Sequence, residues 1–257
     1  MSKSEVSFFK APRYLLRKHN ILRFLRGHSG IKTVLDVGCG AGELACTLAQ
    51  MGYTTTALDF SEDAIKMANS IKRDRKIKDT RLNFKLGGLE KVQGQKFDLV
   101  MCFEVLEHIE NDQDLLKELI NFTNKYVLIS VPAKQKLFDE SDKAVGHFRR
   151  YEKKELQAML DESGLRTLRF ANYGFPYTGV IRVARRAMFA KKLRSNAGES
   201  MEIKSKESGI NPIKAPGRLH RLNIEPVMKI LLYTSLPFNR TNLSDSYLAL
   251  CEQTTKK

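Results

Sequence analysis

The sequence lacks features that would mark several broad classes of protein. No apolar run approaches the roughly 20 residues that a membrane-spanning helix needs. The N-terminus has no apolar segment followed by a cleavage site, so we expect no secretory signal and a cytoplasmic location. The four cysteines show no Cys-x-x-Cys spacing, and we expect free thiols in a reducing compartment.

Acidic residues are scarce compared with basic ones. The 257-residue chain has 29 Asp and Glu against 44 Lys and Arg, which gives a formal net charge of +15. The basic residues concentrate in residues 13–26 and 149–194, whereas residues 33–58 are nearly neutral. Such an excess is compatible with nucleic acid, an anionic membrane surface or an acidic small molecule. Composition alone does not choose among these partners.

Strand-like and helix-like patterns alternate from residue 31 onward. This alternation predicts βαβ units, and right-handed crossovers then place helices on both faces of a mostly parallel sheet. We therefore expect an α/β, Rossmann-like, doubly wound fold with a binding crevice beyond the carboxyl ends of its strands. The seven predicted strands are residues 33–37, 54–58, 81–86, 97–102, 126–131, 165–170 and 247–252, and the helices between them are 42–51, 61–73, 112–122 and 152–163.

Two segments depart from this alternation. Residues 10–25 mix apolar and basic positions at helical spacing, which predicts an amphipathic helix that packs on the domain edge or, alternatively, serves as a lid or membrane-surface helix. Residues 178–193 form a basic helical candidate, followed by a loop at 195–217 and another helix at 222–232. The predicted regions are an N-terminal helical segment (1–30), a central α/β domain (31–171), a basic helical insertion or substrate cap (172–246), and the last strand and tail (247–257).

A glycine-rich turn follows the first predicted strand. Its spacing is Gly38-x-Gly40-x-Gly42, and Asp36 precedes it. Glycines at this position let the backbone approach a ligand and turn into a helix. Asp59 ends the second strand, where a carboxylate can accept hydrogen bonds from both hydroxyls of a ribose. A pyrophosphate binder more often shows Gly-x-Gly-x-x-Gly, so this acidic loop favours a ligand with an amino group and a sulfonium.

At these residues the sequence resembles the class I S-adenosylmethionine-dependent methyltransferases, particularly the small-molecule group related to ubiquinone-biosynthesis methyltransferases. The resemblance covers about residues 33–170, and segments 97–109 and 146–165 also carry it. It implies S-adenosylmethionine as cofactor and S-adenosylhomocysteine as product. It also implies cofactor-binding roles for Asp36, Gly38 and Gly40 around the methionine portion, Asp59 at the ribose, Phe60 and Leu89 at the adenine, and Phe103 and Glu104 on the methionine side.

One position departs from the family pattern. An acidic residue is common two positions after the third strand, where this chain has Gly88. Adenine recognition then depends on backbone groups or on Glu90.

Candidate substrate residues lie after the fifth strand. Methyl transfer is an in-line displacement at an activated carbon, so the protein supplies alignment and, in some enzymes, a base. His147 is the candidate base and Tyr151 a candidate positioning group. Arg149 and Arg150 are candidate clamps for a carboxylate or phosphate. The alternative is that Tyr151 only begins the next helix and that the arginines are solvated.

A second grouping has the residue types of a metal site. The spacing Glu104-x-x-Glu107-His108, with His147 downstream, supplies oxygen and nitrogen donors for a divalent ion. The alternative is that Glu107 and His108 shape the turn into the next helix. Because ligand spacing without geometry is weak evidence, we expect no metal.

The leading hypothesis is a methyltransferase that acts on a small, anionic or lipid- or sugar-linked molecule at an O, N or C acceptor. The basic segments also suit a peripheral contact with a membrane surface. One alternative is an RNA methyltransferase, which the charge permits, although we find no RNA-binding module. Another is a membrane-associated protein that binds S-adenosylmethionine without turnover. The sequence leaves the acceptor atom, the substrate and the oligomeric state open.

Overall fold

A single mixed sheet forms the centre of the chain in the computed structural model, which describes residues 12–179, 182 and 225–254. Strands β1 to β5 pair in parallel, in the order β3-β2-β1-β4-β5, and continue to β7 and then β6. Strand β7 runs antiparallel to both of its neighbours. The predicted α/β fold is confirmed, with β1 (Thr33–Val37), β2 (Thr54–Asp59), β3 (Leu82–Leu86), β4 (Phe97–Phe103), β5 (Thr123–Pro132), β6 (Leu165–Asn172) and β7 (Ser246–Gln253).

Helices cover both faces of the sheet. Alternate residues of β4 belong to separate cores: Val100 and Cys102 lie in one, and Leu99 and Met101 in the other. A sheet buried on both faces explains why its strands read as nearly continuous apolar runs. The helices are α1 (Pro12–Arg26), α2 (Glu43–Gln50), α3 (Glu62–Asp74), α4 (Asp112–Ile120), α5 (Glu140–Ala144), α6 (Lys153–Glu162) and α7 (Glu225–Ser235).

Local capping sets the start of α3, directly after the end of β2. The Ser61 side chain accepts a hydrogen bond from the Ala64 backbone N–H at 3.3 Å. Glu62 and Asp63 occupy the first turn, where acidic side chains interact favourably with the helix dipole. Ser61 is therefore the N-cap of α3, the helix that the sequence predicts at residues 61–73, and it fixes where the chain leaves the sheet edge.

The predicted amphipathic helix at residues 10–25 corresponds to α1. Its side chains Leu16, Ile21 and Leu25 are buried in the core on one face of the sheet. Each such burial stabilises the fold by roughly 1.5–3 kcal/mol. The N-terminal half of α1 reaches the end of β4, where Arg13 Nη2 lies 3.7 Å from Glu104 Oε2. The helix therefore packs on the domain and also contacts the edge where the crevice was expected.

Some boundaries differ from those predicted. Helix α4 ends at Ile120 rather than at 122, and β5 begins at Thr123 rather than at 126. The buried Phe122 explains the difference, because its carbonyl accepts a hydrogen bond from Phe97 N at 2.9 Å and Thr123 pairs with Phe97. Helix α5 was not predicted at all, since five residues are too few to show a helical period.

The basic insertion is the part of the prediction that the structure covers least. The predicted loop at 195–217 lies outside the described residues, as does the predicted helix 178–193 apart from residues 178, 179 and 182. The predicted helix 222–232 corresponds to α7, and the last predicted strand to β7. The division into four regions stays a prediction. Within the described ranges, no helix is both long and apolar enough to cross a membrane.

Candidate active site

Glycines in left-handed backbone conformations shape the loop between β1 and α2. Gly38 has φ 73° and Gly40 has φ 53°. A Cβ atom on Gly38 would collide with the side chain of Val105, which follows β4. The loop is tied to the end of β2, because Gly38 N and Cys39 N both donate to the Leu58 carbonyl at 2.9 Å. It lies where the strand order reverses between β1 and β4, which is where doubly wound sheets bind ligands.

Asp59 holds this loop from the end of β2. Its Oδ2 accepts a hydrogen bond from Gly40 N at 2.7 Å, and its Oδ1 accepts one from Ser61 N at 2.9 Å. A carboxylate offers about four lone-pair positions, so these two bonds leave capacity for a ligand. The carboxylate is thus fixed in place and able to accept further hydrogen bonds, and its ribose role stays a prediction.

The predicted adenine side has an exposed aromatic ring. Phe60 is 66% exposed, whereas Leu89 is buried at the start of a short 3₁₀ turn. The Phe60 ring lies close to the backbone of Gly88, since a Cβ built there would come 2.7 Å from Phe60 Cζ. Glu90 Oε1 accepts a hydrogen bond from Gly88 N at 3.0 Å. Glu90 therefore lies beside Gly88, which occupies the position where the family commonly has an acidic residue. Adenine binding at this edge stays a prediction.

Two acidic groups of the predicted methionine side have opposite titration behaviour. Burial raises the pKa of Asp36 to about 7. The positive charge of Arg17 acts to lower this pKa, and the negative charge of Asp59 acts to raise it. Burial alone would also raise the pKa of Glu104, but Arg13 and Arg17 outweigh it and lower that pKa to about 2. Glu104 is therefore ionised at neutral pH, whereas Asp36 is only partly ionised.

Glu104 is held by several partners just beyond β4. Arg17 Nη1 lies 3.5 Å from Glu104 Oε1, and the Ser130 hydroxyl donates to the same oxygen at 2.5 Å. Its backbone has φ 55°, an uncommon value for a residue with a side chain. Phe103, the last residue of β4, is buried beside it. Phe103 and Glu104 thus lie at the predicted end of the crevice, and their contacts with the cofactor stay a prediction.

Sequence reasoning missed the arginines of α1. The sequence predicts an amphipathic helix whose basic positions include Arg13 and Arg17, yet both converge on Glu104. Their spacing of four residues, continued by the buried Asn20, places all three on one side of the helix. The sequence shows only this helical spacing, because the burial of Asn20 is a property of the fold. Arg17 in particular lies 3.5 Å from Glu104, and its charge also opposes the rise in the pKa of Asp36.

The affinity for S-adenosylmethionine is expected to fall as the pH falls, because protonation of Asp36 would remove the charge that, in the predicted site, attracts the methionyl ammonium. With a pKa of about 7, the ionised fraction drops about eightfold between pH 7.5 and pH 6. Calorimetric titration at both pH values measures this change. The Asp36→Asn variant serves as the control and should show a flat profile; an equally steep profile in that variant would remove Asp36 from the cofactor site.

His147 lies in a buried position rather than at an open mouth. It is 6% exposed, and its Nδ1 lies 3.2 Å from Asp142 Oδ1. Arg150 is buried as well, and its Nε and Nη2 donate to the two oxygens of Asp142 at 2.8 Å each. The guanidinium is therefore engaged inside the protein, an arrangement that does not favour the predicted clamp for a substrate anion.

Arg149 and Tyr151 share a different acidic partner. The Tyr151 hydroxyl donates to Asp112 Oδ2 at 2.6 Å, and Arg149 Nη1 lies 3.3 Å from Asp112 Oδ1. Tyr151 is buried, whereas the Arg149 side chain is 36% exposed. Both residues anchor the segment to the start of α4. Of the four predicted substrate residues, Arg149 is thus the most accessible one.

Three donors converge beside His147. One ligand atom each of Glu107, His108 and His147 lies within 4.8 Å of the others. Burial, with the added charge of Glu104, raises the pKa of Glu107 well above its usual range. Both Glu107 carboxylate oxygens are buried and lack a hydrogen-bond partner within the described residues. A buried carboxylate without hydrogen-bond partners requires an explanation, and a bound cation is one explanation that fits.

The second contacts of the two imidazoles suit metal ligands. Nδ1 of His108 lies 3.1 Å from the Gly146 carbonyl, and Nδ1 of His147 faces Asp142. Metal-bound histidines almost always engage a carbonyl or carboxylate through the ring nitrogen that does not bind the metal. Mn²⁺, Fe²⁺ and Zn²⁺ bind a ligand set of one carboxylate and two imidazoles better than a set made only of oxygen atoms. The residues present therefore fit a divalent transition metal.

The fold and this edge of the sheet define a class of protein, and comparison with known proteins supports the same class. A family model described as a methyltransferase domain matches residues 28–164, more than half of the chain. The chain therefore belongs to the methyltransferase-domain family and is a class I S-adenosylmethionine-dependent methyltransferase in its family and fold.

Individual relatives either match a smaller part of the chain or match most of it at a lower sequence identity. The ubiquinone biosynthesis O-methyltransferase of Rickettsia felis is 36% identical over 88 residues, which cover 34% of this chain and 35% of the relative, so the match spans about a third of that protein. A structure from Galdieria sulphuraria, provisionally described as a sarcosine dimethylglycine methyltransferase, has a TM-score of 0.60 at 16% identity over 95% of this chain and 87% of its own. Magnesium protoporphyrin IX methyltransferase from Synechocystis PCC 6803, with bound S-adenosylmethionine, has a TM-score of 0.52 at 19% identity over 66% and 78%.

Proposed function

We propose that the chain transfers a methyl group from S-adenosylmethionine to a small acceptor molecule. The observation that carries the proposal is the fixed carboxylate of Asp59, bonded to Gly40 N and Ser61 N beside the glycine loop. That carboxylate can bind a ribose, with Phe60 beside the adenine. Asp36, Arg17 and Glu104 lie where the charged methionyl end would be bound. The remainder of the crevice is then available for the acceptor.

Methyl transfer depends more on alignment of the acceptor with the methyl group than on a strong acid or base from the protein. The sulfonium supplies an activated methyl group, and the protein holds the acceptor atom in line with it. An ammonium and a carboxylate on the methionyl end match an acid and an arginine, respectively. With both ends of the cofactor fixed, the methyl group is directed toward one place in the crevice.

For the acceptor we propose a hydroxyl group on a small molecule that carries an anionic or lipid-linked part. The relatives that are named ubiquinone biosynthesis O-methyltransferases support the hydroxyl. The net charge of +15 and the half-exposed Arg149 support the anionic part. A peripheral contact with an anionic membrane surface would agree with the same charge.

The test is release of S-adenosylhomocysteine with a panel of acceptors. We would incubate the protein with S-adenosylmethionine and a catechol, a catechol carboxylate, an aliphatic alcohol, a secondary amine or a short RNA. Mass spectrometry of both products identifies the methylated atom. Turnover with a hydroxyl acceptor supports the proposal, and preference for the carboxylate supports the anionic part. Turnover on RNA alone, or binding without turnover on any acceptor, would favour the competing functions.

We further propose that Glu107, His108 and His147 hold a divalent cation next to the acceptor site, in contrast to the expectation from the sequence. The support is the convergence of three donors within 4.8 Å and the buried carboxylate that lacks partners. Such a cation would favour the ionised form of an acceptor hydroxyl and orient its oxygen. The three side chains would share the task of binding it.

Mn²⁺ is expected to bind the chelator-treated protein, and His108→Ala should weaken that binding by at least tenfold because one of three protein ligands is lost. Calorimetry or electron paramagnetic resonance of Mn²⁺ measures this without an acceptor. His28→Ala is the matched control, since the His28 ring bonds the Phe24 carbonyl on α1 and is expected to leave Mn²⁺ affinity unchanged. Absence of binding at millimolar Mn²⁺ and Zn²⁺ would contradict the metal site.

A further inference from the structure

A buried chain of contacts runs through the segment between β5 and α6. Arg150 donates to both carboxylate oxygens of Asp142, and Oδ1 of that carboxylate lies 3.2 Å from Nδ1 of His147. The side chains of Arg150 and Asp142 are 1% and 0% exposed, respectively. An apolar pair of similar volume is often as stable as a buried ion pair, so this arrangement suggests a role beyond stability.

The backbone brings the same groups together. Asp142 lies in α5, and its Oδ2 accepts a hydrogen bond from Asp139 N at 3.0 Å. Its carbonyl oxygen accepts one from His147 N, also at 3.0 Å. The short helix α5 therefore fixes the position of the Asp142 side chain and of the His147 backbone together. This is a physical reason for a five-residue helix at a place where the sequence predicted no helix.

The donor and acceptor rules indicate which ring nitrogen would carry the hydrogen. Arg150 can only donate, which keeps Asp142 ionised as an acceptor on both oxygens. A carboxylate acceptor facing Nδ1 favours the tautomer with hydrogen on Nδ1 and a lone pair on Nε2. Nε2 of His147 lies 3.9 Å from Glu107 Oε1, and the His108 ring is stacked edge-on at 4.7 Å.

We infer that Asp142, held by Arg150, is a positioning residue that keeps the hydrogen of His147 on Nδ1 and directs the lone pair of Nε2 toward Glu107 and His108. The inference deepens the proposed function, because Nε2 is the atom that would face a cation or an acceptor. Arg150 acquires a role here in place of the substrate clamp that the sequence suggested. The groups that face the ring are Asp142, Glu107 and His108, and Glu104 lies beyond them.

The direct test is the tautomer of His147, measured by ¹⁵N–¹H correlation spectra of the imidazoles in the chelator-treated protein at pH 8. The chain has five histidines, and a His147→Gln sample identifies the relevant signals. The expected result is a protonated Nδ1 and an unprotonated Nε2 in the wild type. A ring protonated on Nε2, or on both nitrogens, would overturn the inference. This measurement requires no variant of Asp142.

The Asp142→Asn variant adds a prediction that a purely structural role would not make. Its amide must place NH₂ at one of two oxygen positions. The Oδ2 position receives donors from Arg150 Nε and from Asp139 N, neither of which can move its hydrogen. The Oδ1 position receives Arg150 Nη2 and faces the His147 ring, which can move its hydrogen to Nε2, so placing NH₂ at Oδ1 loses fewer hydrogen bonds. An NH₂ group there would donate to Nδ1 of His147. The hydrogen of His147 is then expected to move to Nε2.

A matched control and an independent readout complete the experiment. Asp112→Asn changes another buried carboxylate bonded to this segment without touching His147, and it should leave the tautomer unchanged. An unchanged tautomer in Asp142→Asn would overturn the inference. If that variant fails to fold, the wild-type spectrum decides alone. Titration of the same wild-type sample with S-adenosylhomocysteine reports separately on the proposed function, because the tautomer is measured without cofactor.

Where an aspartate orients a catalytic histidine in this way, the same substitution lowers kcat by about 10⁴-fold through the wrong tautomer. Once an acceptor is found in the panel above, Asp142→Asn is expected to lower kcat by at least a hundredfold. The KM for S-adenosylmethionine should change less than threefold, since Asp142 does not contact the cofactor residues. A rise in that KM with unchanged kcat would overturn the inference.

Discussion

Replacing Arg150 with methionine is expected to lower the free energy of unfolding by about 3 to 5 kcal/mol at pH 7, because it leaves a buried carboxylate unpaired. Arg150 and Asp142 are almost entirely buried, and two hydrogen bonds of 2.8 Å join them. Methionine keeps much of the side-chain volume, so loss of charge and hydrogen bonds accounts for the effect. Denaturant unfolding monitored by circular dichroism measures it.

The same pair predicts the direction of the pH dependence. Burial alone would raise the pKa of Asp142, but the nearby His147 ring and the hydrogen-bonded Arg150 guanidinium outweigh it and hold the pKa well below its usual range. A depressed carboxyl pKa stabilises the fold above the unfolded value of about 4, and this contribution is lost as the pH falls toward the folded value. The difference between wild type and Arg150→Met should therefore be largest near neutrality and shrink in acid.

The neighbouring arginine is the control. Arg149 pairs with Asp112 at 3.3 Å, but its side chain is 36% exposed. Surface ion pairs are worth about 0–1 kcal/mol, so Arg149→Met should cost less than about 1 kcal/mol. Equal losses in the two variants would contradict the account of Arg150 as an internal partner of Asp142.

The second large effect concerns Asp59. Asp59→Ala is expected to weaken binding of S-adenosylhomocysteine by between about tenfold and a hundredfold, which corresponds to about 1.4 to 2.7 kcal/mol. The carboxylate has two tasks: it would bind the ribose, and it already holds Gly40 N and Ser61 N. Its removal therefore takes away ligand contacts and loosens the loop that would contact the methionine portion. Calorimetric titration measures the change.

Asp63→Ala is the control for Asp59. Asp63 also lies near the start of α3 but is exposed, and its removal should change the affinity less than twofold. If Asp59→Ala binds S-adenosylhomocysteine as tightly as Asp63→Ala does, the ribose site is not at the end of β2.

The sheet and the glycine loop could be predicted because local patterns define them. The strand at residues 33–37 is confirmed without change, and the helix predicted at 61–73 corresponds to α3 with Ser61 as its N-cap, since each depends on neighbouring residues in the chain. Asp59 was singled out because it ends a predicted parallel strand. Such a position fixes the edge of the sheet at which a side chain lies.

The partners of the charged groups could not be predicted in the same way. Arg13 and Arg17 lie about ninety residues from Glu104 in sequence, and only the packing of α1 on the sheet brings them together. Asp142 and Arg150 are close in sequence, yet nothing in their spacing distinguishes a buried pair from two solvated charges. Burial decides the roles of both pairs, and burial follows from tertiary structure.

The central claim is that S-adenosylmethionine binds at the carboxyl edge of β1, β2 and β4. A crystal structure of the chain with S-adenosylhomocysteine tests it most directly. We predict ribose hydroxyls within hydrogen-bonding distance of Asp59, the adenine beside Phe60, and the homocysteine end among Asp36, Arg17 and Glu104. An empty crevice at millimolar S-adenosylhomocysteine, or a ligand bound elsewhere, would contradict the account.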